Sequence, residues 1–158
     1  NHFIQNLTFN NFKCFKNINV NNIKRINLIS GKNNIGKTSL MEGIELCVSS
    51  SDTPSLSINL YEMMKRRQSK LRQRRDFELD FIFENASNVE LTVNDKNIKI
   101  KYSETMQEEL DDLANDENLM IEYEPSLKLS INLEERNISI ERLIHRPIMM
   151  IRREHNNT

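Results

Sequence analysis

The chain has 158 residues, 37% of them hydrophobic and 28% charged, with a formal net charge of −1. That length suits one domain with a real core, and the balance excludes a disordered chain. Near-neutral charge names no partner by itself, and no apolar run is long enough to span a bilayer. Cys14 and Cys47 form no CxxC pair and have no histidine at metal-ligand spacing. They read as two buried thiols in a reducing compartment. The N-terminus lacks the charged-then-apolar layout of a secretion signal. The expected location is cytoplasmic, with no membrane partner.

Residues 2–9 alternate loosely and predict a strand, broken at Asn10-Asn11. Phe15–Val20 predicts its antiparallel partner, with Asn21-Asn22 as the next turn. Ile26-Asn27-Leu28-Ile29 is a short apolar run of the buried-strand kind. From Lys37 the spacing turns helical through Leu40, Ile44, Cys47 and Val48, so 37–49 predicts an amphipathic helix. Ser49–Pro54 predicts a loop, and 58–75 a helix with Ile58, Tyr61, Met64 and Leu71 available for burial. Phe77, Leu79, Phe81 and Phe83, spaced by two, predict a strand. Val89, Leu91 and Val93 pair with Ile98, Ile100 and Tyr102 across the turn 94–97 as a hairpin. Thr105-x-x-Glu108 resembles a capping box and predicts a short acidic helix. Leu127, Leu129, Ile131 and Leu133 alternate as a further strand, and 138–151 carries a last strand or two. Asparagine is abundant throughout, a bias that an AT-rich genome would produce.

Gly31-Lys32-Asn33-Asn34-Ile35-Gly36-Lys37-Thr38 fills every fixed position of GxxxxGK[ST]. Gly31 and Gly36 let the backbone approach phosphate oxygens, and the amides of Asn34 to Thr38 can form an anion nest. The following helix adds its positive end. In this arrangement Lys37 reaches the β- and γ-phosphates and is the catalytic side chain, and Thr38 holds Mg²⁺. Ser39 donates to the α-phosphate, and Ile35 contributes backbone. Asn34 suits a left-handed position in the loop. The expected ligands are ATP and Mg²⁺. The three glycines, Gly31, Gly36 and Gly43, leave no DxxG element, and there is no NKxD sequence, which argues against a GTPase.

Phe3–Asn17, followed by Ile26–Ile44, resembles the N-terminal part of ABC-type ATPase heads of the RecF, SMC and OLD group. That group includes AAA15/21-like bacterial ATPases, several of them in phage defence. The shared features are a strand ending in Asn-Phe-Lys, a hairpin, and a loop reading G-x-N-x-x-G-K-[ST]. The resemblance covers about the first third of the chain. It implies an α/β fold: the N-terminal lobe of a P-loop NTPase with an antiparallel β-subdomain. It also implies ATP hydrolysis driven by pairing with a second copy of the head, in nucleic-acid maintenance or phage defence. A nuclease or effector subunit would then be gated by that cycle. Family roles put Lys13 at a basic position that touches phosphate, with a solvated strand-edge lysine as the alternative. Asn33 stands where the group often has asparagine.

The group's Walker B strand, its signature motif with paired glycines and its switch histidine have no counterpart here. Leu79-Asp80, Leu133-Glu134-Glu135 and Ile148–Ile151 all fail the Walker B pattern. The chain is therefore expected to be one lobe of a longer protein, binding nucleotide without turnover alone. The rivals are a nucleotide-gated assembly scaffold and a P-loop small-molecule kinase.

Seven bases crowd residues 65–75 with no acid among them. Arg66, Arg67, Lys70, Arg74 and Arg75 are the candidates for a DNA or RNA backbone, and a solvated basic helix is the alternative. The acidic stretch 104–124 reads as a solvated face, since nothing fixes its carboxylates as a convergent set.

Overall fold

In the computed structural model, the described residues are 3–68, 80–83, 86–107, 122–140 and 143. Six strands form one antiparallel sheet in the order β2-β1-β3-β4-β5-β6. They are β1 (Leu7–Phe12), β2 (Phe15–Val20), β3 (Asn88–Val93), β4 (Lys96–Gln107), β5 (Glu122–Ile131) and β6 (Glu134–Ser139). The helices are α1 (Lys37–Ser49), α2 (Thr53–Gln68) and the four-residue α3 (Asp80–Phe83).

Asparagine makes the sharp turns. Among the described residues six non-glycines have positive φ, and five are asparagines: Asn11, Asn22, Asn34, Asn94 and Asn132, the sixth being Lys13. Asn and Gly tolerate this region with least strain, so the asparagine bias has a structural use. Asn94 turns β3 into β4, and its side-chain oxygen accepts from Gln5 N–H at 2.8 Å, tying that turn to the segment that leads into β1. Asn132 turns β5 into β6, and its Oδ1 accepts from Asn97 N–H at 2.9 Å.

Directly opposed residues share a face of the sheet. Phe9 faces Leu91, Leu91 faces Ile98, Ile98 faces Ile131, and Leu127 faces Ile138. All of these are buried. They form one apolar face, which α1 covers over β1 and β3 and α2 covers over β5 and β6, so the architecture is a two-layer α/β sandwich. Gly43 gives α1 its close approach, since a Cβ there would stand 2.5 Å from Phe9 Cε2. At the far end of α1, the Lys96 ammonium donates to the carbonyls of Cys47 and Ser50. It supplies from the sheet the cation that helix C-termini favour. Asp52 caps α2: its carboxylate accepts from Ser55 N–H at 2.8 Å while Ser55 Oγ accepts from Asp52 N–H at 3.0 Å.

Several sequence expectations need correction. Asn10-Asn11 does not break β1, which continues to Phe12 because Phe12 still pairs with Phe15 of β2, Asn11 taking a positive φ within the strand. The turn falls at Lys13-Cys14 instead. Ile26–Ile29 is not a buried strand: Ile26 is 92% and Leu28 93% exposed, and the segment joins no strand of the sheet. The Asn27 side chain closes a local ring on Lys24 N–H and C=O, satisfying backbone groups that a ladder would have used.

Thr53-Pro54 lies in α2 rather than in a loop, because Asp52 starts the helix there. Residues 80–83 of the strand expected from Phe77 are helical; β1 already has β2 and β3 as neighbours, leaving no edge on that side. The Thr105 capping box does not form. Thr105, Met106 and Gln107 extend β4 and pair with Glu124, Tyr123 and Glu122, since tertiary pairing outweighs a local cap. Leu133, expected in a strand, is 98% exposed in the β5–β6 turn. Val48 is exposed and Leu46 buried on α1. Cys14 is exposed, so only Cys47 is the buried thiol. Residues 69–79, most of the acidic stretch and 144–158 lie outside the described residues, and with them fall the end of the basic helix and the last expected strand.

Candidate nucleotide site

Helix α1 begins where the glycine loop ends. Gly36 is its N-cap at φ 104°, a left-handed conformation, and no side chain hydrogen-bonds to cap the helix. The first-turn amides of an α-helix lack intrahelical partners, and here they carry the positive end of the dipole toward the loop. No acidic residue occupies that first turn. Asn34 is also left-handed, at φ 64°, as its place in the loop suggested. Successive reversals of this kind turn amides toward one point and form an anion nest.

Glycine is required at 36 for a second reason. A Cβ there would lie 2.7 Å from Cys14 Sγ and 2.9 Å from Phe15 Cζ. The loop rests against the β1–β2 hairpin with no room for a side chain.

Lys37 sits at the first position of α1, and its ammonium folds back across the loop. It donates to Gly31 C=O at 2.6 Å and to Lys32 C=O at 2.7 Å. An ammonium carries three donors, so a third direction remains beyond these two bonds. Around this loop lies an open cleft of about 970 Å³, a size that suits small-molecule ligands. Asn33, Asn34, Gly36, Lys37, Thr38 and Ser39 line it. Thr38 is exposed and Ser39 buried. Gly31 contributes a carbonyl to Lys37, and Ile35 packs its Cγ2 near Gly31; neither lines the cleft. Glycine backbone, helix amides, an ammonium and a hydroxyl fit a nucleoside triphosphate with Mg²⁺, the triphosphate at the helix mouth and the metal on Thr38.

Motif reading did not reach the other side of the cleft. Cys14, Met41, Glu42, Glu45 and Arg66 complete its lining. Met41, Glu42 and Glu45 follow Thr38 at helical spacing, the one signal that could have indicated them. Arg66 of α2 forks onto Glu45 through two hydrogen bonds of 3.0 and 2.9 Å. This bonding raises the Arg66 pKa further. Both partners are about half exposed, so the pair contributes only about 0–1 kcal/mol to stability. Of the expected nucleic-acid residues, Arg66 is thus engaged with a carboxylate at the cleft. The side chain of Arg67, and all of Lys70, Arg74 and Arg75, lie outside the described residues.

Lys13 does not line the cleft. It occupies the β1–β2 turn at φ 52°, its N–H donates to Ile82 C=O at 3.0 Å, and its ammonium pairs with Glu42. Only 5% of the Lys13 side chain and 14% of that of Glu42 are exposed. It is neither a solvated edge lysine nor part of the cleft lining. Among the described residues no cluster of three or more His, Cys, Asp or Glu side chains forms a metal site. No helix among them is long and apolar enough to cross a membrane.

Residues 6–149 match the protein family described as AAA domain. The chain belongs to that family. It is a P-loop ATPase-type domain of mixed α/β structure. A curated relative, an ATP/GTP phosphatase of Helicobacter pylori, is 33% identical over 64 residues. That match takes in 40% of this chain and 17% of the relative's length.

Proposed function

We propose that this AAA domain is the nucleotide-binding lobe of a RecF/SMC/OLD-type ATPase, binding Mg·ATP at Gly31–Ser39. The observation that carries the reading is the start of α1: a left-handed glycine, the uncapped helix start and Lys37 line one cleft. Lys37 and the amides bind and orient the β- and γ-phosphates. Because they are fixed before the ligand arrives, they stabilise charge that builds on the transferring phosphoryl group. The Thr38 hydroxyl would hold Mg²⁺, which would supply positive charge against the phosphates. The relative's description as an ATP/GTP phosphatase supports hydrolysis to water over transfer to a small molecule.

In this reading the remaining catalytic groups come from outside the described residues, and two heads close on nucleotide. Ile26 and Leu28, exposed ahead of the loop, are then covered by the other lobe of the head. The work coupled to closure is on nucleic acid or an effector subunit. Arg67, Lys70, Arg74 and Arg75 supply the basic contact, since Arg66 is engaged with Glu45.

The test is phosphate release and sedimentation of the full-length protein with Mg·ATP. ATP-dependent dimers that release phosphate support the proposal. Dimers without release favour the assembly scaffold, and phosphate appearing on an acceptor instead of in water favours the kinase. Replacing Arg67, Lys70, Arg74 and Arg75 with alanine lowers DNA affinity and flattens its salt dependence if these bases meet phosphate. An unchanged salt slope removes nucleic acid from the proposal.

A further inference from the structure

We infer that Arg66 of α2 is a phosphate-contacting residue of the nucleotide site, its guanidinium exchanging the Glu45 carboxylate for the polyphosphate when nucleotide binds. The inference rests on the nucleotide reading above and adds a ligand to it from a second helix. Arg66 lines the same cleft as Lys37, Thr38 and Ser39. Its place there is set by α1. Glu45 follows Thr38 by seven residues, two turns along one face. Helix side chains lean toward the N-terminus, so Glu45 extends over the turn of Met41 and Glu42. That turn is the one next to Thr38, about 5 Å along the axis. The Arg66 guanidinium forks onto the Glu45 carboxylate at 3.0 and 2.9 Å. A planar cation is thereby held in the cleft wall, about one turn from the mouth of α1.

The helix that carries Arg66 is firmly seated, while the side chain is not. Leu60, Met63 and Met64 of α2 are buried in the core, and they fix the backbone that leads to position 66. The Arg66 side chain is 53% exposed and that of Glu45 48%. Arg66 also lines a recess of about 190 Å³ between α1 and α2, together with Asn59 and Glu62. With open space on two sides, the guanidinium can turn without displacing packed atoms. Glu42 and Glu62 add negative charge around it and keep the cation in this corner. Exchange is favourable on charge. Exposed carboxylate pairs are weak, whereas a triphosphate offers several anionic oxygens to a fork that fits phosphate as well as carboxylate.

Phosphate contact separates from a mere helix clamp by the sign of two substitutions. Mg·ATP affinity of the full-length protein is measured by calorimetry for wild type, Arg66→Gln, Arg66→Lys and Glu45→Gln, with melting curves to confirm folding. Wild-type binding that Lys37→Ala abolishes secures the nucleotide reading. If wild type does not bind, that reading fails on its own account. Given binding, Arg66→Gln weakens affinity about tenfold or more, the loss of a charge-assisted hydrogen bond. Arg66→Lys loses about fivefold or more, since an ammonium keeps the charge but not the fork. Glu45→Gln tightens binding about two- to fivefold, because the competing carboxylate is gone. A pair that only clamps α2 to α1 responds alike to loss of either partner. A Glu45→Gln protein that binds no more tightly than wild type therefore overturns the inference. Wild-type affinity in Arg66→Lys reduces the arginine to a distant charge and overturns it as well, and so does unchanged affinity in Arg66→Gln. Should Arg66→Gln fail to fold, Arg66→Lys and Glu45→Gln carry the test with the same opposed signs.

Discussion

Replacing Gly43 with alanine sets two effects of opposite sign against each other. In a helix interior alanine is favoured over glycine by about 1 kcal/mol. Position 43 lies in the middle of α1, so helix propensity alone predicts a more stable protein. Packing predicts the reverse. The new Cβ would sit 2.5 Å from Phe9 Cε2, 2.9 Å from Phe9 Cζ and 3.1 Å from Phe12 Cε1. Carbon atoms rest at about 3.5–4.0 Å, so the overlap reaches roughly an ångström. Neither ring can swing away easily, because both are fully buried and stack edge-to-face at 5.8 Å. Overpacking of this sort costs about 1–3 kcal/mol, and the close contact argues for the upper end. The net expectation is a loss of about 2 kcal/mol, or a urea midpoint about 1 M lower at a slope of about 2 kcal/mol/M. Nucleotide affinity should fall too, since α1 can relieve the overlap only by moving its first turn. Phe9→Leu in the Gly43→Ala background should recover part of the loss. A Gly43→Ala protein that unfolds at higher urea than wild type would refute the packing argument.

Two further predictions concern titrating groups. Hydrogen bonds from Ser55 hold the Asp52 pKa below its ordinary 3.8. A depressed carboxylate pKa stabilises the fold above the unfolded value and loses that contribution as pH falls through the folded one. Asp52→Ala should therefore cost about 1 kcal/mol at pH 7. The gap in urea midpoints should shrink below about pH 4; a gap that stays constant to pH 2.5 would exclude the cap. Burial pushes the Cys47 thiol up to about 12, with Lys96 opposing. A disulfide reagent at pH 8 should thus modify one thiol, Cys14, until denaturant exposes the second. Mg·ATP should slow the first reaction, because Cys14 lines the cleft; equal rates with and without nucleotide would place the ligand elsewhere.

The site was legible in the sequence where backbone chemistry dictates residue type. Gly36, Lys37 and Thr38 stand at the spacing that a phosphate-binding loop requires, and Gly36 is left-handed with no room for a Cβ. The left-handed Asn34 followed from the same reasoning, and α1 spans the residues that its periodicity indicated. The opposite wall was not legible. Glu42, Glu45 and Arg66 meet only when α2 folds beside α1, and no local pattern encodes that meeting. Resemblance put Lys13 beside phosphate, whereas in the structure its ammonium pairs with Glu42, a carboxylate 29 residues away. The sheet misled where local and tertiary signals conflict. Thr105-x-x-Glu108 has the residues of a cap, but β5 offers Thr105, Met106 and Gln107 a full ladder. Ile26-Asn27-Leu28-Ile29 has the composition of a strand, but a strand needs neighbours, and the Asn27 side chain satisfies the local backbone instead.

The account stands on phosphate binding at the mouth of α1. Calorimetric titration of the full-length protein and its Lys37→Ala variant with Mg·ATP tests this most directly. Saturable binding at one site per chain, abolished by the substitution while the melting curve is preserved, is the predicted result. Undiminished affinity in a folded Lys37→Ala protein would contradict it.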